Sequence, residues 1–266
     1  MTQENPSTAG VRYIEFPQPD LQQCMFYHSV DLAPGDSRAG QWDLRGGEDV
    51  YLGGVDFAGR SVLEIGPASG YLSFHMERSG AEVTALEPPM SHLWDTVPLH
   101  GFGVDEWRNV FAGHIAQVRN SFWYLHHLHQ SKVKLIEADP HAIPKEAGDF
   151  DIGVLCSVLL HCRSPFSIIE GLARRVTKTM IITEPYDAVL GDEPVTRLIA
   201  RPSARQVDTW WALSPNFVVN ALGVLGFEQA QITVHHQRRV MDNLMVPMFT
   251  VTAHRAESSS PATPSL

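Results

Sequence analysis

Cysteine is scarce in this sequence: its 266 residues include three, Cys24, Cys156 and Cys162. Three is too few, and an odd number, for a disulfide framework, so a reducing setting, the cytoplasm, is expected. Long hydrophobic runs are missing too. None reaches the roughly 18–20 residues that span a bilayer, and no membrane partner is expected. The first residues, Met1 to Gly10, are polar and lack the apolar core of a signal peptide. Basic charge is also short. Lysine and arginine total 20 against 30 acidic residues, a net charge of −10, whereas a protein that grips phosphates usually carries a basic excess. Arg174-Arg175, Arg238-Arg239 and the spaced Arg197, Arg201 and Arg205 read as solvated faces and loops, so nucleic acid is not the expected partner. Metal ligands are not concentrated either. In His126-His127-x-His129 the first and third share a helix face while the second points about 100° away. A chelate needs further ligands, and no metal is expected.

What is present is enough apolar material for one large core: 44% of residues are hydrophobic and 19% charged. From Arg60 onward short apolar runs alternate with helix-like stretches, the signature of βα units and a parallel sheet. The strands are expected at Ser61–Ile65, Glu82–Leu86, Val133–Glu137, Ile152–Cys156, Thr179–Thr183, Phe227–Val234 and Val246–Ala253. Helices are expected near Tyr71–Arg78, Phe166–Arg175 and Pro215–Leu225, the last with Ser214 as N-cap and Pro215 in its first turn. The fold class is therefore α/β: a doubly wound, seven-stranded, mostly parallel sheet. Two regions exceed that minimum. Residues 1–59 form an N-terminal extension or cap with turn chemistry at Pro34-Gly35 and Gly46-Gly47. Residues 88–132 are too long for an ordinary strand–helix–strand connection. Within them Trp107, Val110, Phe111, Ile115, Val118, Phe122 and Leu125 recur at helical spacing, as in an amphipathic helix that covers a pocket or packs on the sheet edge. The Ser/Pro-rich tail, 257–266, reads as disordered.

The segment that carries chemistry is Val62-Leu-Glu-Ile-Gly66-Pro-Ala68-Ser-Gly70-Tyr71: a buried strand, a glycine-rich turn, then a helix. Glycine lets the chain turn sharply and lets a ligand approach the backbone, and helix N-terminal amides attract an anionic group. Glu87 ends the second strand about 20 residues later, where an acidic side chain binds ribose hydroxyls in dinucleotide folds. Asp139 follows the third strand in Leu135-Ile-Glu-Ala-Asp139-Pro-His141-Ala142. At the carboxyl ends of successive strands these acids converge on the crevice where such sheets bind ligands. Gly66, Ala68 and Gly70 make G-x-A-x-G rather than G-x-G-x-x-G, which disfavours nicotinamide-dependent dehydrogenases.

Glu-Ile-Gly-Pro-Ala-Ser-Gly, Glu87 and Asp139 resemble motifs I, II and III of class I S-adenosylmethionine-dependent methyltransferases, over roughly Gly59 to the last strand. The resemblance implies a Rossmann-like methyltransferase domain over 60–256, with S-adenosylmethionine as cofactor. The turn at Gly66, Ala68 and Gly70 would hold the methionine part, Glu87 the ribose and Asp139 the adenine amino group. Glu64, Tyr71, His141, Ala142 and Cys156 complete the expected cofactor set. Ser157-Val-Leu-Leu-His161-Cys-Arg163-Ser-Pro165, with Trp210-Trp211, Pro215-Asn216 and the stretch from Phe26-Tyr-His28-Ser to Gly40, is similar to proteins related to the tRNA wobble-uridine (carboxy)methyltransferases. Those enzymes carry a tyrosine before the loop histidine, where it helps to recognise a carboxylated cofactor. This sequence has Leu160 there and lacks their Lys-Gly-Pro-Phe element. The implied cofactor is thus the ordinary one, and the implied acceptor a small molecule.

Methyl transfer from a sulfonium is an in-line displacement that needs positioning and, for a hydroxyl or protonated amine, a base. His161, after the fourth strand, is the candidate base. An imidazole pKa of about 6.5 suits that task, and a loop-shaping role is the competing reading. His28, Tyr124, Trp210, Trp211 and Asn216 are the candidate substrate residues, with Trp94 and Trp123 as further aromatic walls or core. Cys156 and Cys162, which lack a C-x-x-C partner, also read as buried thiols. Nothing in the pattern sets the oligomeric state, and a homodimer stays open.

Overall fold

The computed structural model describes residues 11–90, 95–96, 100–101, 103–204 and 207–255. Met1–Gly10, Trp94, Arg205 and the tail 257–266 lie outside the described residues. In chain order the strands are β1 (Arg12–Ile14), β2 (Val30–Ala33), β3 (Asp36–Arg38), β4 (Trp42–Asp43), β5 (Ser61–Ile65), β6 (Glu82–Glu87), β7 (Lys134–Glu137), β8 (Phe150–Cys156), β9 (Val176–Pro185), β10 (Thr196–Leu198), β11 (Trp211–Leu213), β12 (Gln229–Arg239) and β13 (Leu244–His254). The helices are α1 (Glu48–Tyr51), α2 (Tyr71–Arg78), α3 (Val104–Leu128), α4 (Pro165–Ala173) and α5 (Pro215–Val224).

The main sheet has the order β1-β7-β6-β5-β8-β9-β13-β12-β4. Strands β7, β6, β5, β8 and β9 are parallel, and β13 and β12 close the sheet as an antiparallel hairpin. All seven expected strands are present. The two additional strands come from the N-terminal segment: β1 pairs antiparallel with β7, and β4 with the end of β12. At three and two residues they are too short for a period-2 pattern to show. The segment read as an extension thus edges the sheet on both sides. The final hairpin is longer than its apolar pattern, because Gln237-Arg-Arg239 keeps pairing with Leu244–Val246 although the side chains turn polar. Phe227 is not in that strand: its N–H donates to Leu222 O and closes α5 behind Gly226 at φ 88°.

Strand alternation divides the core into two layers. Val62, Val83, Ala85, Ile152 and Val154 pack with Leu72 and Phe74 of α2 and Phe122 and Leu125 of α3. Leu63, Ile65, Leu86 and Leu155 point the other way, onto Ile168 and Leu172 of α4 and Val218 and Leu222 of α5. The parallel strands β5 to β9 are covered on both faces, as parallel sheets require. The chain leaves β5 toward β6 and β7 and later returns at β8 on the other side, so the switch point of the topology lies between β5 and β8. Ligands bind at such a point, outside the carboxyl ends of the strands.

Candidate active site

A cavity of about 390 Å³ opens at that switch point. Ile65, Gly66 and Ala68 after β5, Glu87 and Pro88 after β6, Pro140 and His141 after β7, and Cys156, Ser157 and Val158 after β8 line it. The turn is built for close approach. Gly66, Ala68 and Gly70 all have positive φ, 76°, 50° and 81°. A Cβ on Gly66 would sit 2.9 Å from the Val158 side chain, and one on Gly70 would sit 2.5 Å from the Phe74 ring and 2.7 Å from Phe122. Helix α2 begins directly after the turn with no side-chain cap and no acidic residue in its first turn. Among the described residues no N-cap side chain serves its leading N–H groups.

Glu87 is buried at the end of β6. Burial pushes its carboxyl up to about 7, while the Arg119 guanidinium and the Ala68 backbone N–H pull it down. Arg119, on α3, lies 3.9 Å from Glu87 and 3.2 Å from Glu137, and donates to Pro88 O at 2.5 Å. Phe111, His114, Ile115, Val118 and Arg119 share one face of α3 and roof the cavity, at the i, i+3/i+4 spacing of a helix stripe. Val110, one step off that stripe, is 72% exposed. Trp107 stacks on Phe111 at 4.6 Å, while Phe122 and Leu125 continue into the core.

His161 lies in the loop after β8 and lines the cavity. Its Nδ1 donates to Asp208 O at 2.6 Å, which makes Nε2 the lone-pair nitrogen of the ring. Burial holds its pKa below the ordinary histidine value.

Other expected residues are placed differently. Glu64 lies beneath the turn and accepts from Ser73 Oγ of α2; burial raises its carboxyl to about 7. Tyr71 bonds Glu48 of α1. Asp139 is exposed and caps its own turn, accepting from His141 N at 2.9 Å; its neighbours Pro140 and His141 line the cavity instead. Ala142 is exposed beside it. His28 is buried against Tyr71, with no partner for Nδ1 among the described residues, and desolvation lowers its pKa to about 3; its neighbour Tyr27 faces the cavity. Tyr124 and Trp123 pack in the core. Trp210 is buried, Trp211 Nε1 donates to Cys162 O at 3.0 Å, and Asn216 Nδ2 donates to Asp192 O. None of Tyr124, Trp210, Trp211 and Asn216 lines the cavity. His126 and His127 donate to Val133 O and Phe16 O. Among the described residues no cluster of three or more metal-ligating side chains occurs, and no helix is long and apolar enough to cross a membrane.

The structure adds residues that no local motif marks. Glu184, at the end of β9, is fully buried; its Oε1 accepts from the Val158 and Leu159 N–H groups, Oε2 has no hydrogen-bond partner among the described residues, and burial raises it to about 8. Tyr27, Gln41, Trp42, Pro185, Gln237 and Met248 wall the far side. They come from strands and loops that only the sheet order brings together. One local signal existed: Glu184-Pro185 ends the fifth strand, where an acid at a sheet's carboxyl edge faces the crevice.

No protein-family model matches the chain, and no curated protein matches it. Solved structures do. Magnesium protoporphyrin IX methyltransferase from Synechocystis PCC 6803, solved with S-adenosylmethionine bound, aligns at 13% identity over 80% of this chain and 78% of its own, with a TM-score of 0.50. The 1,6-didemethyltoxoflavin N1-methyltransferase of Burkholderia thailandensis, solved with its toxoflavin precursor and S-adenosylhomocysteine, aligns at 14% identity over 79% and 77%, again at 0.50. This chain shares their fold. It is the Rossmann-like fold of class I methyltransferases, with the core order 3-2-1-4-5-7-6 when the seven central strands are counted from β5.

Proposed function

We propose that the chain is an S-adenosylmethionine-dependent methyltransferase that acts at oxygen or nitrogen of a small-molecule acceptor. The observation that carries this is a single cavity lined at once by the Gly66–Ala68 turn, by Glu87 and by His161. The residues fit the cofactor. Side chains at Gly66 and Gly70 are excluded by contact, the uncapped start of α2 suits a carboxylate, and Glu87 stands where ribose hydroxyls are held. Asp139, His141 and Ala142 would meet the adenine at the rim, and Cys156 the floor. When bound, the sulfonium supplies an already activated methyl group. The chain's own work is then to orient the acceptor, exclude water and take a proton at His161 Nε2. On this reading residues 60–256 are the catalytic domain, and segments 1–59 and 88–132 shape the acceptor site. Calorimetry with S-adenosylhomocysteine tests the assignment: binding is expected, and no heat at millimolar ligand overturns it.

The loop from Ser157 to Pro165 keeps modification of a tRNA wobble uridine as a second reading, because its histidine and its Arg-Ser-Pro end resemble that group. Leu160 and the net charge of −10 weigh against it: burying an extra cofactor carboxylate beside leucine lacks a partner, and the charge repels phosphates. A cofactor-binding protein without catalysis is the third reading, and turnover on any acceptor excludes it.

A further inference from the structure

Sheet order divides the cavity. Glu87, Gly66 and Ala68 stand on one side of Ser157, at the ends of β6 and β5. Pro185, Met248 and Gln237 stand on the other, on β9, β13 and β12, with Tyr27, Gln41 and Trp42 of the N-terminal segment beside them. If the first side holds the cofactor, as proposed above, the second is the acceptor's. Gln237 is 3% exposed and lines this second side, and among the described residues nothing hydrogen-bonds its side-chain amide. An amide on a cavity wall without a protein partner is left to pair with whatever the cavity holds. It carries both donors and an acceptor but no charge.

The charges around it point the same way. Among the described residues the cavity's lining has one guanidinium, Arg119, and no lysine; Arg119 is engaged by Glu137, Pro88 O and Glu87. Asp208 also lines the cavity, as does Asp95, which is paired with Arg163. A carboxylate or phosphate entering here would lose its hydration and find no unengaged guanidinium or ammonium among the described lining residues.

We infer that Gln237 is the recognition residue of an acceptor subsite that takes an uncharged molecule, one with an apolar body and a neutral hydroxyl or amide that pairs with the Gln237 side chain. This rests on the methyltransferase reading, and the experiment separates the two. The full chain is first titrated with S-adenosylhomocysteine; binding there tests the cofactor site alone. The loaded protein is then titrated with salicylamide and salicylate, near-isosteres that differ in charge. Salicylamide is expected to bind at least tenfold more tightly. Gln237→Leu is expected to weaken salicylamide about tenfold, the effect of one lost hydrogen bond, with S-adenosylhomocysteine affinity unchanged. The near-isosteric Gln237→Met repeats the test should the leucine variant fail to fold. Equal or tighter binding of salicylate, no binding of either probe at millimolar concentration by loaded protein, or undiminished salicylamide binding by a folded variant overturns the inference.

Discussion

Tyr51 Oη and Ser157 Oγ lie 3.1 Å apart although 106 positions separate them in the chain. Ser157 follows β8 with φ 55°, a left-handed conformation that non-glycine residues adopt sparingly, and its side chain lines the cavity. Tyr51 closes the short helix α1 and is 2% exposed; burial raises its phenol well above the ordinary value and keeps it a neutral donor. Its own carbonyl accepts from Thr183 Oγ1 of β9 and Thr250 Oγ1 of β13. Through this one residue the N-terminal segment is bonded to β9, β13 and the loop after β8. Tyr51→Phe keeps the ring and removes the donor, so we expect a loss of about 1 kcal/mol in urea unfolding, with Ser157 left without its bond to the N-terminal segment.

Glu87→Ala is expected to weaken S-adenosylhomocysteine binding by about 1.5–3 kcal/mol, the range for charge-assisted hydrogen bonds to a ligand. Calorimetry measures it directly. Parent-like affinity in the variant would remove Glu87 from the cofactor site and leave it as a partner of Arg119.

His161→Ala is expected to lower turnover about 10²–10⁴-fold with little change in cofactor affinity. Because burial lowers the His161 pKa, the neutral imidazole persists below pH 6.5, and the acidic limb of the parent's rate profile should fall below that value. Near-parental turnover would leave His161 as a loop residue anchored to Asp208.

Gly70→Ala places a methyl group at φ 81° against two aromatic rings. The left-handed backbone costs about 1–2 kcal/mol and the overpacking about 1–3 more. A total destabilisation of about 2–5 kcal/mol in chemical denaturation is the expected result; a change under 0.5 kcal/mol would refute the packing argument.

Stability should fall as pH rises from about 5 to 8, because three buried carboxyls outweigh one buried histidine. Glu64, Glu87 and Glu184 have folded pKa values raised to about 7, 7 and 8, above the unfolded value near 4.3. Their contribution is full below the unfolded pKa and is lost as pH rises through the folded ones. His28 runs opposite. Its folded pKa is lowered to about 3, so the unfolded chain takes the proton first, and its own contribution falls as pH drops below about 6.5, which offsets only part of the carboxyls' effect. Urea midpoints from pH 5 to 9 test this fall, and Glu184→Gln, which stays neutral throughout, should flatten it.

The βα alternation was legible because the five parallel strands are covered on both faces and read as apolar runs, and the final hairpin because its inward side chains are apolar. The turn at Gly66 to Gly70 and the acid at Glu87 were legible because their chemistry is local: positive φ selects for small residues, and a strand's last side chain lands at the sheet's edge. His161 was legible for the same reason. Strand order was not, since apolar periodicity states which residues are buried and not against what. The second side of the cavity therefore stayed invisible: Gln237, Met248 and Tyr27 reach it only because β13 inserts between β9 and β12 and because β4 pairs with β12. Aromatic residues misled in turn. Trp210, Trp211 and Tyr124 carry large apolar surfaces that suit a pocket wall and a core alike, and only the packing of the whole chain set them outside the cavity.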